Sequence, residues 1–410
     1  MRTVRVDGGN LRQLITILVH VKKNPGQQEP RLKRLYIDYD GIHPENWGPI
    51  WKYEIDCVKS LADKQNVPFD STAFQFENGI LMCKSPESEL TIRKFHVQVI
   101  ALLFSTDTFP EMVQLACHKD ILEMFRGFKH KIKNMVSSLA LRDSASREPK
   151  PDSPLSWDQE IVSILSDSMP AKHLFLEGPI VRISNEEGHG LRNHSDITFY
   201  KISPGSAQIG HLIDLRATKL SAFRYIAEDH QERIGEKWKD PLIKILGDLN
   251  STQGECLKTL CLGLFNAPRG YSGLAVPPSM GLLQSLTHLW IDSGKSDARW
   301  KYEAIRSFAL PNHYAQNLFH LRITGPREDL DNWISFMLTG GKSVWEHLKS
   351  FSINDETLVE QNSQSLESVG VKLKLIGEND DIRLWTNEGD NLEEFKDDKR
   401  PSQYFSKVLN

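Results

Sequence analysis

In the phrase SLTHLWIDS, residues 285–293, apolar side chains fall at Leu286, Leu289 and Ile291, a rhythm of 0, +3 and +5. The rhythm returns in NLFHLRITG (Leu318, Leu321, Ile323) and in HLKSFSIND (Leu348, Phe351, Ile353). Earlier copies are LKRLYI (Leu32, Leu35, Ile37), MVQLAC (Met112, Leu115, Cys117) and VSSLAL (Val136, Leu139, Leu141). AKHLFL (Ala171, Leu174, Leu176), LSAFRY (Leu220, Phe223, Tyr225) and LKTLCL (Leu257, Leu260, Leu262) follow. From Leu115 onward the central residues are 24, 35, 49, 37, 29, 32 and 30 apart. Recurrence at this period predicts a repeat architecture with one short strand per unit. The longer gap between Leu35 and Leu115 has room for one more unit around STAFQF (Phe74, Phe76).

The intervals supply helices. LRQLITILV sets Leu11, Leu14, Ile15, Leu18 and Val19 on one helical face, and NPG at 24–26 ends it. SWDQEIVSIL opens on a Ser156/Gln159 capping box, and DPLIKILGDL has Asp240 at the N-cap and Pro241 at the first helical position. DLDNWISFML aligns Leu330, Trp333, Ile334, Met337 and Leu338. One helix and one strand bury too little apolar surface alone, so neighbouring units stack. Crossovers of this length favour parallel pairing. The expected fold class is therefore α/β, a curved solenoid with parallel strands on the concave face and helices on the outer face. A doubly wound sheet is disfavoured, because VRVDGGN lacks the spaced glycines of a dinucleotide-binding turn.

Two further stretches change the organisation. DSASREPKPDSPL at 143–155 and NAPRGYSGLAVPPSMG at 266–281 interrupt both periods and are expected as surface loops. VGVKLKLIG reads as a final strand, after which the chain turns polar and acidic. Residues 1–376 are accordingly expected as the solenoid and 377–410 as a polar C-terminal cap or mobile tail.

The residues then point to a family. RTVRVDGGNLRQLITILVHVKKNPG followed by RLKRLYID resembles the segment directly after the F-box of fungal F-box proteins: a short strand, a helix, then the first repeat strand. TFPEMVQLAC is similar to their recurrent L-P-N-L-x-x-L-x-L phrase, with Phe109, Pro110, Met112 and Leu115 in the corresponding places. The likeness covers roughly residues 2–376 and implies an irregular leucine-rich-repeat-like solenoid. It implies a substrate-receptor role in a cullin–RING ubiquitin ligase, with a ubiquitination substrate as the protein partner. The sequence departs from the family in two ways. The three-helix F-box, with its L-P-x-E-like opening, is absent, so these residues supply no adaptor-binding module. The Asn or Cys of a regular repeat is also missing five residues after the central position, where Asp40, Gly294, Pro326 and Glu356 stand instead.

Within each strand the residues flanking the central apolar position point to the opposite face of the sheet. On that open, concave face the first unit places Arg34 and Tyr36, and AKHLFL places His173 and Phe175. Adjacent units place His288 and Trp290, His320 and Arg322, then Ser350 and Ser352. Stacking brings Trp290 beside Arg322 as a cation–π pair and His288 beside His320. Aromatic and arginine side chains of this kind dominate protein-binding hot spots. The bland alternative is a face covered by loops or by the tail.

No catalytic residue, metal site or cofactor is expected. EEGHGLRNHSD at 186–196 gathers His189, His194, Glu186, Glu187 and Asp196, but its histidine spacing matches no ligand pattern and a solvated loop is the plainer reading. An unrecognised hydrolase using that loop is the competing enzyme reading, and a folded remnant with no dedicated partner is the third. A P-loop, a nucleophile elbow and an H-E-x-x-H helix are all absent. The net charge of −4 and pI near 6.4 give no footprint for nucleic-acid binding; FKHKIKNM at 128–135 reads as a solvated basic helix face. Five cysteines without a C-x-x-C pair suit a reduced compartment, and no apolar run is long enough to span a membrane. The expected location is cytoplasmic or nuclear.

Overall fold

A computed structural model of the chain describes residues 2–7, 32–38, 50–64, 69, 74–82, 99, 102, 112–118, 138–142, 156–157, 172–177, 182–183, 194–200, 219–226, 247–249, 251–263, 283–292, 317–377, 380, 382 and 385. The fold is α/β with a parallel sheet, and the chain divides into two compact units. One comprises residues 1–148 and 160–174, the other 149–159 and 175–410.

In the first unit β1 (Arg2–Asp7), β2 (Leu32–Asp38), β5 (Met112–His118) and β6 (Ser138–Arg142) pair in parallel in that order. Helix α1 (Lys52–Lys64) buries Ile55, Val58, Leu61 and Ala62 at helical spacing. Its start is closed by Glu54, whose carboxylate accepts the Trp51 N–H at 2.9 Å. Beside it β3 (Phe76–Glu77) and β4 (Ile80–Leu81) form an antiparallel hairpin. Its turn residues Asn78 and Gly79 have φ of 53° and 79°, the two positive angles that a type I′ turn needs. The hairpin docks on the helix start, with the Lys52 N–H on the Gly79 carbonyl and the Leu81 N–H on that of Ile50. Phe74 and Phe76 thus belong to a hairpin, not to a parallel repeat unit: Asn-Gly favours direct chain reversal over a crossover.

The second unit holds β7 (Ser156–Trp157), paired in parallel with β9 (Arg182–Ile183). Ser156 therefore lies in a strand and not at a helix N-cap; the rest of that expected helix, like that over 11–19, lies outside the described residues. Of the helix expected over 240–249, residues 247–249 are described and helical, with Leu249 buried. The main sheet of this unit runs through residues 175–177 of β8 (His173–Glu177), then β10 (Asp196–Tyr200), β11 (Ala222–Ile226), β12 (Thr259–Gly263), β13 (His288–Asp292), β14 (His320–Thr324), β15 (Ser350–Ile353) and β16 (Lys372–Leu375). From β10 to β16 every neighbour pairs in parallel without a register shift.

The recurring rhythm explains that regularity. In β11 to β15 the residue three before the centre, the centre and the residue two beyond are all buried, as with Leu286, Leu289 and Ile291. The residue two before each centre donates its N–H to the equivalent carbonyl of the preceding unit: Ser221 to Ser195, Lys258 to Ser221, Thr287 to Lys258, Phe319 to Thr287 and Lys349 to Phe319, at 2.7–3.0 Å. Every strand is thereby entered at the same level. Helix α2 (Arg327–Val344) buries Leu330, Trp333, Ile334 and Met337, while Leu338 is partly exposed. Helix α3 (Glu356–Ser368) buries Leu358 and Leu366. Asp355 caps α3 by accepting the Leu358 N–H at 2.9 Å. Its other end closes through Gly370, at φ 90°, with N–H groups of Gly370 and Val371 on the carbonyls of Glu367 and Leu366.

Candidate functional site

Unbroken register turns the flanking positions of the strands into two rows on one face of the second unit. One row runs Asp196, Ala222, Thr259, His288, His320, Ser350 and Lys372; the other runs Thr198, Arg224, Cys261, Trp290, Arg322, Ser352 and Lys374. The juxtapositions read from the sequence are present. His288 and His320 have ring centroids 4.5 Å apart, and the Arg322 guanidinium sits 4.9 Å from the Trp290 ring centre.

Of the two readings of this face, open or covered by loops or the tail, the structure shows the second over the middle strands, because the C-terminal segment lies on it. After β16 the Ile376 N–H extends the ladder to the Ile353 carbonyl at 2.8 Å, and the chain then brings Asp380, Ile382 and Trp385 back across the rows. Ile382 and Trp385 form one buried cluster with Ile226, Cys261 and Trp290, against which Tyr200 and Ile376 pack. The Trp385 ring meets Trp290 edge-on at 5.6 Å and His288 at 5.1 Å. The Arg322 guanidinium lies 4.7 Å from the Trp385 ring centre, so that one cation contacts both indoles. Asp380 completes the charge balance with a 3.0 Å ion pair to the Arg322 Nη1.

Beneath the segment lies Arg224, a residue that sequence reasoning passed over. Its guanidinium has no accessible surface, forks onto both Asp196 carboxylate oxygens, and donates from Nε and Nη2 to the Trp385 carbonyl at 3.0 and 2.6 Å. A buried arginine is tolerated when its donors meet a carboxylate and a carbonyl together. A signal existed: Arg224 follows the central Phe223 of LSAFRY, the position that places Arg322 and Trp290 on the same face. Asp196, weighed as a metal-competent group, instead serves this ion pair. It opens β10, whose unit has His194 where the others have an apolar residue, which is why the apolar rhythm did not announce that strand.

The cover is uneven along the sheet. β13 and β15 are buried throughout, β14 alternates between buried and half-buried residues, and β16 exposes Lys372, Lys374 and Leu375. His320 is one of the half-buried residues of β14. Its Nδ1 lies 2.7 Å from the Ser350 Oγ, and burial, then Lys374, Lys349 and Arg322, lower its pKa. His288, deeper under the tail, has its pKa lowered to about 3 by burial first and then by His320 and Arg322. Both rings are therefore neutral at pH 7.

Of the other residues singled out, Phe175 is buried with its ring 6.1 Å from Tyr200. His173 is half-buried at the start of β8, and Arg34 and Tyr36 occupy β2 of the first unit, opposite Met112 and Gln114 of β5. Among the described residues no three His, Cys, Asp or Glu side chains gather closely enough to hold a metal ion, and no helix is long and apolar enough to cross a membrane. His194 is buried; His189, Glu186, Glu187 and the basic stretch 128–135 lie outside the described residues. Cys261 is a buried thiol within the apolar cluster. No protein-family model matches the chain, and no curated relative matches its sequence.

Proposed function

We propose that this chain is a non-catalytic protein-recognition scaffold, an irregular leucine-rich-repeat-like solenoid that presents the flanking-residue face of β14–β16 to a protein partner. The observation that carries this reading is the alignment of Trp290, Arg322, Ser352 and Lys374 in one row, in which Arg322 is half-buried between buried Trp290 and Ser352, and Lys374 is exposed. Arg322 holds its place by two ring contacts and one ion pair, so its ordering cost is met before a partner arrives. By resemblance to the repeat region of fungal F-box proteins, the partner is a ubiquitination substrate and the chain is the substrate-recognition part of a ubiquitin ligase receptor.

The test is site-specific photo-crosslinking from position 374, with position 59 on α1 as control. A discrete protein adduct is expected from 374 and not from 59. Arg322→Ala should weaken it by about 2 kcal/mol, roughly thirtyfold in affinity. Equal adducts from both positions, or indifference to Arg322→Ala in a folded chain, would sink the assignment of this face. If the ligase reading holds, the crosslinked partner's cellular half-life lengthens in the Arg322→Ala background.

A further inference from the structure

We propose that the face over β11–β14 is a peptide-binding groove which the chain's own tail occupies in cis, and that its partner segment carries an acidic residue followed five positions later by tryptophan. This deepens the recognition reading above and rests on it.

The tail is held by the means with which a groove holds a foreign peptide. A main-chain carbonyl, that of Trp385, is taken by Arg224, which would bind any residue's carbonyl equally well. A single large aromatic side chain fills a slot walled by His288 and Trp290. One carboxylate, Asp380, meets Arg322. Arg322 links the two side-chain subsites, because the cation that pairs with Asp380 also covers the Trp385 ring. An acid and an indole five residues apart thus satisfy one guanidinium, and that spacing is the recognition rule. Phenylalanine would fill less of the slot and offer a weaker face to the cation.

Charge makes the rule directional. Lys372 and Lys374 end the two rows two strands beyond His320 and Arg322 and are exposed, so an acidic segment entering from β16 meets attractive charge along its approach. The Arg322 and Asp380 side chains keep 13% and 28% of their surface exposed, which places them at the margin of the covered region. Trp385 then follows as the anchor. The ordered hydrogen bonds of the sheet are complete without the tail beyond Ile376, so one segment can replace the other without breaking a ladder.

The test uses the full-length chain and a fluorescein-labelled peptide of residues 377–390, followed by anisotropy. Trp385→Ala in the chain empties the slot and should raise peptide affinity about tenfold over the unsubstituted chain, whose own tail competes. Adding Arg322→Ala should remove that gain, and a peptide carrying Trp385→Ala should not bind. A folded Trp385→Ala chain that fails to bind the peptide overturns the proposal. If Trp385→Ala prevents folding, hydrogen exchange of the unsubstituted chain decides. Amides of 380–386 exchanging about a hundredfold faster than those of β11–β13 support an exchangeable occupant; exchange only in concert with those strands overturns it. A concentration-dependent dimer abolished by Trp385→Ala would assign the slot to a second copy's tail and overturn the partner. Crosslinks from position 374 that persist while the peptide fails to bind remove this proposal alone and leave the recognition reading standing.

Discussion

Arg224 carries a full charge into a position without accessible surface, and each direction in which its guanidinium points is answered. Asp196 takes the fork, Thr198 accepts at 3.4 Å, and the Trp385 carbonyl takes the remaining edge. Removing one member of such a buried pair leaves the other charge uncompensated, which costs about 3–5 kcal/mol. Arg224→Met should lower unfolding stability by that amount in a denaturant titration, and adding Asp196→Leu should recover much of it. If Arg224→Met alone costs under about 1 kcal/mol, the pair is not the buried anchor described here. The residue was legible only in part. Its position in LSAFRY assigns the face, but its burial depends on a carbonyl 161 residues away, and local sequence carries no trace of that partner.

Among the elements, the strands were the most legible and the connections the least. Nine central apolar residues marked nine strands, because a half-buried strand needs one face apolar and a repeated unit needs the same face each time. The −1 and +1 positions followed by alternation, hence Trp290 beside Arg322. β10 escaped because His194 replaces the leading apolar residue, and the Asn78–Gly79 hairpin escaped because a search for parallel units passes over a direct reversal. Close approach of two strands is equally silent in sequence. Gly263 pairs with Ile226, and a Cβ there would lie 2.9 Å from the Ile226 Cγ2. Gly263→Ala should therefore destabilise the second unit by about 1–3 kcal/mol. Ile226→Ala, costly alone, should cost less in the Gly263→Ala background, since it removes the colliding γ-carbons. Additive effects in thermal unfolding of the double variant would contradict the contact.

At the scale of the molecule, the covered face links stability to pH. His288 has its pKa lowered from 6.5 to about 3 in the fold, and His320 is lowered in the same direction. Between about pH 6.5 and pH 3 the unfolded chain binds protons that the native chain does not, so stability falls on acidification through this window and is level above it. Denaturant midpoints at pH 7, 5.5 and 4.5 should fall in that order, with a shallower slope for His288→Asn; an unchanged slope would mean that His288 charges freely in the fold. The same cover separates what sequence determined from what only tertiary structure decided. Strand positions, parallel order, the α/β class and the sharing of one face by the histidines, Trp290 and Arg322 were determined locally, by apolar periodicity and the two-residue alternation of extended chain. That the tail covers the face over β11–β13 and that β16 is exposed was not. The tail's average composition is polar and acidic, yet its packing rests on Ile382 and Trp385, whose apolar surface finds a partner cluster only once the strands stand in register. Periodicity reports which side of a strand is buried. What buries it is decided by long-range contacts, whose chain separation leaves no pattern in the sequence.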